Sequence, residues 1–240
     1  MTQLRFTTLV EAPLTVAFDV ARSLGLPWSY PLTEVEADRP RRLVSAGPAG
    51  DLVVTREFEP TAAGTLVHGV VDWTPRGPAD RRRVARAMTA HLDAHAAAAA
   101  RRALEVVQVV GAALVDDRRR VLVAQRGAGG LAGLWEFPGG KVERGEPELA
   151  ALVRECREEL GIGVTPGVFL GEVPLDGVVA GGAPGASTLR VWSGRVTAGE
   201  LVAHEHSELR WLPAEELEAL DWIPADRPLL PAVRALLAAL

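Results

Sequence analysis

The clearest period in the chain lies in the second half of the stretch from Gly140 to Ile162. Leu149, Val153, Cys156 and Leu160 fall at i, i+4, i+7 and i+11, one stripe of a 3.6-residue repeat, which predicts an amphipathic helix. Glu155, Glu158 and Glu159 share another face, roughly opposite that stripe. Nearer the start, residues 3–11 alternate as a strand does, Ala12-Pro13 breaks the run, and Leu14 to Leu24 reads as a short helix. Leu43 to Ser45, Asp51 to Glu59 and Thr65 to Trp73 are predicted strands, with Gly/Pro turns at Gly47-Pro48 and from Pro60 to Gly64. A long helix is expected from Pro78 to Leu104, with Met88, His91, Leu92 and His95 as candidates for its inner face.

The pattern then restarts. Val106 to Val115 is an apolar run fit for a buried strand, and Val121 to Arg126 is the next strand. Gly127 to Gly133 is a Gly-rich loop without the Lys-Ser/Thr ending of a phosphate-binding loop. Further strands are expected at Val164 to Val173, Ser187 to Val196 and Leu201 to Leu212, with a loop at Gly177 to Gly185. Pro213 to Leu220 and Pro228 to Leu240 read as helices. Helix residues run to Leu104 and a strand begins at Val106 without an obvious linker, so the expected domains are 1–104 and 105–240.

Composition sharpens this division. A hydrophobic share of 48% over 240 residues allows real cores, and a net charge of −5 gives no pull toward a nucleic acid polymer or a membrane. Residues 1–104 hold 13 basic and 11 acidic side chains, whereas residues 105–240 hold 13 and 20. The acidic half is the one with the glutamate helix. One cysteine forms no internal disulfide and fits a reducing cytoplasm. The opening MTQLRFTTLVEAP has no apolar core after a basic end, so no signal peptide is expected. Lys141 is the only lysine in the chain.

Three carboxylates on one helix face repel one another, by a few tenths of a kcal/mol per pair. Such a set suits a cation placed between them, and all-oxygen ligands suit Mg²⁺ or Mn²⁺. The spacing also carries a resemblance. Gly140, five residues, Glu146, seven residues and then Arg154-Glu155-Cys156-Arg157-Glu158-Glu159-Leu160-Gly161-Ile162 match the Nudix box at every fixed position, with Cys156 as an unusual apolar member.

The resemblance to Nudix hydrolases implies an α/β (α+β) architecture for 105–240, a mixed sheet flanked by helices. It implies hydrolysis of a nucleoside diphosphate linked to another group. Glu155, Glu158 and Glu159 then look like Mg²⁺ ligands, one of them alternatively a base near the attacking water. Gly139 or Gly140 offers a backbone carbonyl to the metal, Arg154 orients a carboxylate of the helix, and Glu146 braces the loop. Cys156, on the apolar stripe, is read as core.

Arg126 and Lys141 flank the carboxylates and are candidate phosphate contacts, or charge balance for the glutamates. The strings AQR, GLWEFPGGKVERGE, RWLPAEEL and DWIPADRP resemble the MutT-like subgroup, and within it bacterial CTP pyrophosphohydrolases. That likeness makes Phe137 and Asp226 substrate-binding candidates, and Glu205, which lies 21 residues before Asp226, a fourth metal-side carboxylate. Asp226 falls where the subgroup reads the base. Ionised, it only accepts, and the cytosine amino group is its expected partner; its alternative role is to cap the last helix. The segment from Asp176 to Ser187 has no counterpart in the subgroup.

The first half, a strand, a short helix, several strands and a long helix, resembles SRPBCC or polyketide-cyclase-like proteins. That implies an α+β helix-grip domain with a sheet around the last helix, a pocket for a small apolar ligand, and a regulatory or binding role. Trp28, Tyr30 and Trp73 are read as core or pocket wall. His91 and His95 lack the HExxH pattern and are read as surface or partly buried histidines, and Arg81 to Arg83 as a solvated helix start.

Three readings follow. The first is Mg²⁺-dependent hydrolysis of a nucleoside triphosphate to monophosphate and pyrophosphate, with CTP, dCTP or 5-methyl-dCTP as substrate. The second changes the base to 8-oxo-dGTP. The third is a nucleotide-sensing module that does not cleave. A homodimer is left open.

Overall fold

Why residues near the N-terminus alternate becomes plain in the computed structural model, which describes residues 2–28, 32–75, 77, 80–175 and 187–240. The chain divides into two units, Met1–Val106 and Val107–Leu240. In the first, β1 (Thr2–Val10), α1 (Leu14–Leu24), β2 (Thr33–Asp38), β3 (Arg42–Ala46), β4 (Leu52–Thr61), β5 (Gly64–Trp73) and α2 (Asp80–Ala103) follow in order. The strands form one antiparallel sheet, β1-β5-β4-β3-β2. Alternate residues of β4 and β5 (Val54, Phe58, Val67, Val71, Trp73) are buried, as a half-covered sheet requires.

From α2, Met88, Leu92, His95 and Ala99 are buried at steps of four, three and four. His91, expected on the inner face, sits at the margin of this stripe, half-buried, and Ala99 completes the buried row. Strand β2 carries no sequence signal because all its residues are exposed, which erases the period of two. A cavity of about 320 Å³ is lined by Trp28, Leu52, Trp73 and Val84 among others. Tyr30 lies outside the described residues.

Two buried polar groups tie α1 to the sheet and to α2. Arg56 donates from Nη1 to the carbonyls of Ala21 (2.9 Å) and Gly25 (3.1 Å), so a cation sits at the C-terminal end of α1. Burial lowers its pKa to about 10, which still leaves it charged. His95 donates from Nε2 to Ala17 O at 2.7 Å, linking α2 to α1. Burial is the main cause that lowers the pKa of His95 from 6.5 to about 4.

Between those pH values the unfolded ring binds a proton that the folded ring refuses. Stability therefore rises with pH across the window, is fully present above about 6.5, and is lost as pH falls through about 4. The effect is roughly 3 kcal/mol. Urea unfolding of the full chain should show this slope between about pH 4 and 6.5 for the N-terminal transition, and His95→Gln should flatten it. An unchanged slope in the variant would assign the acid sensitivity elsewhere.

The second unit holds β6 (Gln108–Leu114), β7 (Val121–Arg126), β8 (Trp135–Glu136), β9 (Gly139–Lys141), α3 (Glu148–Leu160), β10 (Gly163–Pro174), β11 (Thr188–Ala198), β12 (His206–Leu212) and α4 (Leu230–Ala239). One sheet has the order β10-β11-β6-β9, with β11 parallel to β6 and the other pairs antiparallel. The other is antiparallel, β12-β7-β8.

Strand β6 is buried on both faces, which is why it reads as a continuous apolar run. Val110, Ala112 and Leu114 pack with α3, whereas Ala113 packs with the side that holds Trp222, Val233 and Leu237. Residues Ala214–Ala219 form a short 3-10 helix rather than an α-helix, and β12 begins at His206 rather than Leu201. The expected loop from Gly177 to Gly185 lies outside the described residues. Among the described residues no helix is long and apolar enough to cross a membrane.

The inner stripe of α3 differs from the expected one. Ala151, Leu152, Cys156 and Leu160 are buried, Val153 is half-buried, and Leu149 is exposed. Small Ala151 turns the face, because the row Ala151, Glu155, Glu159 at i, i+4 and i+8 lies beside the row Leu152, Cys156, Leu160. Glu155 and Glu159 therefore flank the core stripe instead of opposing it, and both are half-buried, while Glu158 points further out and is exposed.

Candidate active site

The first turn of α3 is anchored by charge. Glu148 sits there, where a carboxylate suits the helix N-terminus. Arg190 reaches it from β11 with Nε at 3.0 Å and also holds Glu172 with Nη1 at 2.6 Å. The Arg190 and Glu172 side chains are buried, and the guanidinium lies 4.4 Å from the centre of the Phe169 ring. A buried pair of this kind fixes geometry more than it adds stability.

Arg154, one turn before the carboxylate pair at the end of α3, uses all sides of its guanidinium. It donates to both oxygens of Glu146 (3.0 and 2.9 Å), to Glu155 Oε1 (2.9 Å), to Glu158 Oε2 (3.0 Å) and to the Lys141 carbonyl (3.0 Å). These partners, Glu146 foremost, hold Arg154 firmly charged and keep the Glu146 carboxyl below its usual range. Glu146 also accepts the Glu143 N–H at 3.1 Å, which closes the loop before α3. One arginine thus binds the loop to two carboxylates of the helix.

Strand β9 brings the backbone against those carboxylates. Gly139 has φ 152°, and a Cβ there would lie 2.1 Å from Val110 O, so only glycine permits the pairing of β9 with β6. At Gly140 a Cβ would lie 2.4 Å from the Glu155 carboxyl carbon. The Gly139 N–H donates to Glu159 Oε2 at 3.0 Å. Burial pushes the Glu159 carboxyl up to about 7, and Glu155 and Glu136 push the same way.

This arrangement fits a hard divalent cation. Glu155, Glu158 and Glu159 each keep one oxygen without a described hydrogen bond. A half-buried carboxylate driven toward its neutral form by burial and by its neighbours lacks positive charge. Among the described residues no three acidic, histidine or cysteine side chains already form a closed cage. Mg²⁺ asks for less, since it keeps several waters and takes one or two carboxylates together with substrate phosphates.

A cavity of about 640 Å³ is lined by Arg126, Lys141, Glu159, Phe137 and Asp226, with Leu175, Leu189 and Ile223 as apolar wall. Arg126 donates from Nη1 to Glu136 Oε2 at 2.6 Å. On the other oxygen of Glu136, His206 Nε2 lies at 3.4 Å. Burial lowers the His206 pKa, but Glu136 and Glu159 outweigh it and the net shift is upward.

Asp226 is buried; its Oδ1 accepts the Phe137 N–H at 3.2 Å and its Oδ2 has no partner. It makes no capping bond to the turn that follows it. Burial raises its pKa well above the usual range, which shifts the carboxyl toward the neutral acid, a form that can donate as well as accept. Cys156 is buried with its thiol pushed up to about 12 by burial, in keeping with a core role.

The structure thus gathers Gly139, Gly140, Arg154, Glu155, Glu158 and Glu159 around one another and sets Arg126, Lys141, Phe137, Glu159 and Asp226 around one cavity. Glu205 is exposed, and none of the described contacts joins it to the cluster. Sequence reasoning missed Glu136 and His206. Glu136 stood inside the WEFPGG string without an assigned task, and His206 becomes visible only through the register that sets it opposite Arg126.

Comparison with known proteins bears on the second unit. A family model describing the NUDIX domain matches residues 106–233. The CTP pyrophosphohydrolase of Escherichia coli K12 is 43% identical over 137 residues, which covers 57% of this chain and 97% of that one. A Mycobacterium tuberculosis H37Rv protein provisionally named 8-oxo-dGTP diphosphatase 2 is 44% identical over 121 residues, 50% of this chain and 83% of its own length. The 8-oxo-dGTP diphosphatase of E. coli K12 is 29% identical over 134 residues, 55% of this chain and 100% of that one.

Proposed function

The chain belongs to the Nudix family and is a Nudix hydrolase; on that footing we propose that it hydrolyses a nucleoside triphosphate to the monophosphate and pyrophosphate, with a cytidine nucleotide as preferred substrate. The observation that carries the reading is the carboxylate cluster braced by Arg154 together with the cavity that places Glu159 on the same wall as Arg126 and Lys141. We assign catalysis to residues 105–240. Residues 1–104 are assigned a binding or regulatory role, with the cavity beside Trp28 and Trp73 as the site for a small apolar ligand.

Glu155, Glu158 and Glu159, with a backbone carbonyl of Gly139 or Gly140, are the groups that would hold Mg²⁺, or Mn²⁺ in its place. When bound there, the ion would supply neutralisation of phosphate charge and acidification of the attacking water. Arg126 and Lys141 draw the polyphosphate to the cluster and offset its charge. Arg154 holds Glu155 and Glu158 in place, and the cluster's carboxylates accept the proton that the water gives up. No covalent step is assigned to Cys156, whose buried thiol stays protonated.

In its neutral form the Asp226 carboxyl matches cytosine by donating to N3 and accepting from the N4 amino group. A donor and an acceptor side by side also suit 8-oxo-dGTP, the second reading, after which two of the relatives above are named. Both are tested by pyrophosphate release with Mg²⁺ over a panel of CTP, dCTP, 5-methyl-dCTP, UTP and 8-oxo-dGTP. Asp226→Asn keeps a donor and an acceptor, so kcat/KM for the best substrate should fall less than about tenfold, whereas Asp226→Leu should lower it about 10- to 100-fold. Collapse of base preference in Asp226→Asn would restore the ionised acceptor. A wild type that works best on 8-oxo-dGTP would displace the cytidine reading.

A further inference from the structure

The Glu136 carboxylate is gripped from two sides. Arg126 Nη1 lies 2.6 Å from Oε2, and His206 Nε2 lies 3.4 Å from Oε1. The two partners come from neighbouring strands, since Arg126 of β7 and His206 of β12 are register partners. The side chains of Glu136 and His206 are 12% and 4% exposed, so water does little to hold the carboxylate. Among the described residues Glu136 is the one side-chain partner of Arg126, whose Nε is buried without an acceptor. The His206 Nδ1 has no partner either, so Glu136 is the ring's one described side-chain contact. Arg126, Glu136 and Glu159 all line the cavity.

We propose that His206 is a positioning residue for triphosphate binding, fixing Glu136 so that Glu136 in turn aims the Arg126 guanidinium into the cavity. The inference rests on the function proposed above and adds to it the residue that keeps its phosphate contact in place. The contact needs only an N–H at Nε2, which one neutral tautomer of the ring supplies as well as the charged form. Without it, Glu136 keeps a single partner and has Glu159 as a like-charged neighbour. The carboxylate is then free to turn and to carry Arg126 with it. Arg126 meets the polyphosphate in the ground state as in the transition state, so its loss of aim weakens binding more than turnover.

The test is steady-state kinetics with CTP and saturating Mg²⁺ on the full chain, for wild type, His206→Ala, His206→Gln, Arg126→Ala and the double variant His206→Ala/Arg126→Ala. We expect His206→Ala to raise KM about 5- to 20-fold while kcat falls less than about threefold. His206→Gln, with an amide N–H at similar reach, should recover most of that loss. The double variant should be no worse than Arg126→Ala, because residues that act through one another are not additive.

A merely structural histidine predicts instead a parallel loss of kcat and melting temperature, no rescue by glutamine, and losses that add in the double variant. That pattern, or an unchanged KM in His206→Ala, overturns the proposal while leaving the function intact. A wild type without turnover on any nucleoside triphosphate overturns the function itself, and the inference with it.

Discussion

Replacing Glu159 with glutamine is expected to lower kcat at saturating Mg²⁺ by at least about 10²-fold while the fold survives. The substitution keeps the volume of the side chain and the oxygen that accepts the Gly139 N–H. It removes one unit of negative charge from a cluster proposed to hold a cation with oxygens alone. It also removes a half-buried carboxylate that burial and its neighbours push toward the neutral form. The melting temperature should therefore stay level or rise even as turnover collapses. Kinetics and a thermal melt on one preparation separate the two effects. Near-wild-type turnover would remove Glu159 from the metal site, and a large fall in melting temperature would recast it as structural.

Arg154→Lys is expected to lower kcat about 10- to 100-fold, although charge is conserved. The guanidinium serves Glu146 with two donors while holding Glu155, Glu158 and the Lys141 carbonyl with the rest. An ammonium is a compact point charge without that planar fork, and it cannot span a loop and two helical carboxylates at once. Glu155 and Glu158 then lose their common brace and repel each other across the site. The KM for Mg²⁺ should rise together with the fall in kcat, because the ligands rather than the phosphate contacts are disturbed. A kcat within about twofold of wild type would show that charge alone is needed and that the fork is incidental.

How much of this was legible in the sequence depended on what each signal recorded. The glutamate helix was readable because its spacing is set within one element, and so was β5, whose alternation matches one buried face. The orientation of α3 was misjudged because Ala151 is small and counts for little in a hydrophobic stripe, yet it decides which side can approach the sheet. Strand β2 was invisible because exposure on both faces leaves no alternation. The family resemblance pointed to Asp226, but its protonation depends on burial by residues far away in the chain, and the Phe137 N–H that it holds is 89 positions distant. His206 and Glu136 belong to the same class. Their meaning arises where two strands lie side by side, and a linear reading has no term for that.

The packing of Cys156 gives the protein a built-in reporter. The only cysteine of the chain sits on the buried side of α3 with its thiol protonated, so alkylating reagents find no target while the helix is seated. Modification of that sulfur therefore counts the moments when α3 lifts from its sheet, and the rate of labelling is a clock for that opening. The same silence leaves the rest of the surface free for a single introduced cysteine, which would carry a fluorophore or spin label without competition from the native thiol.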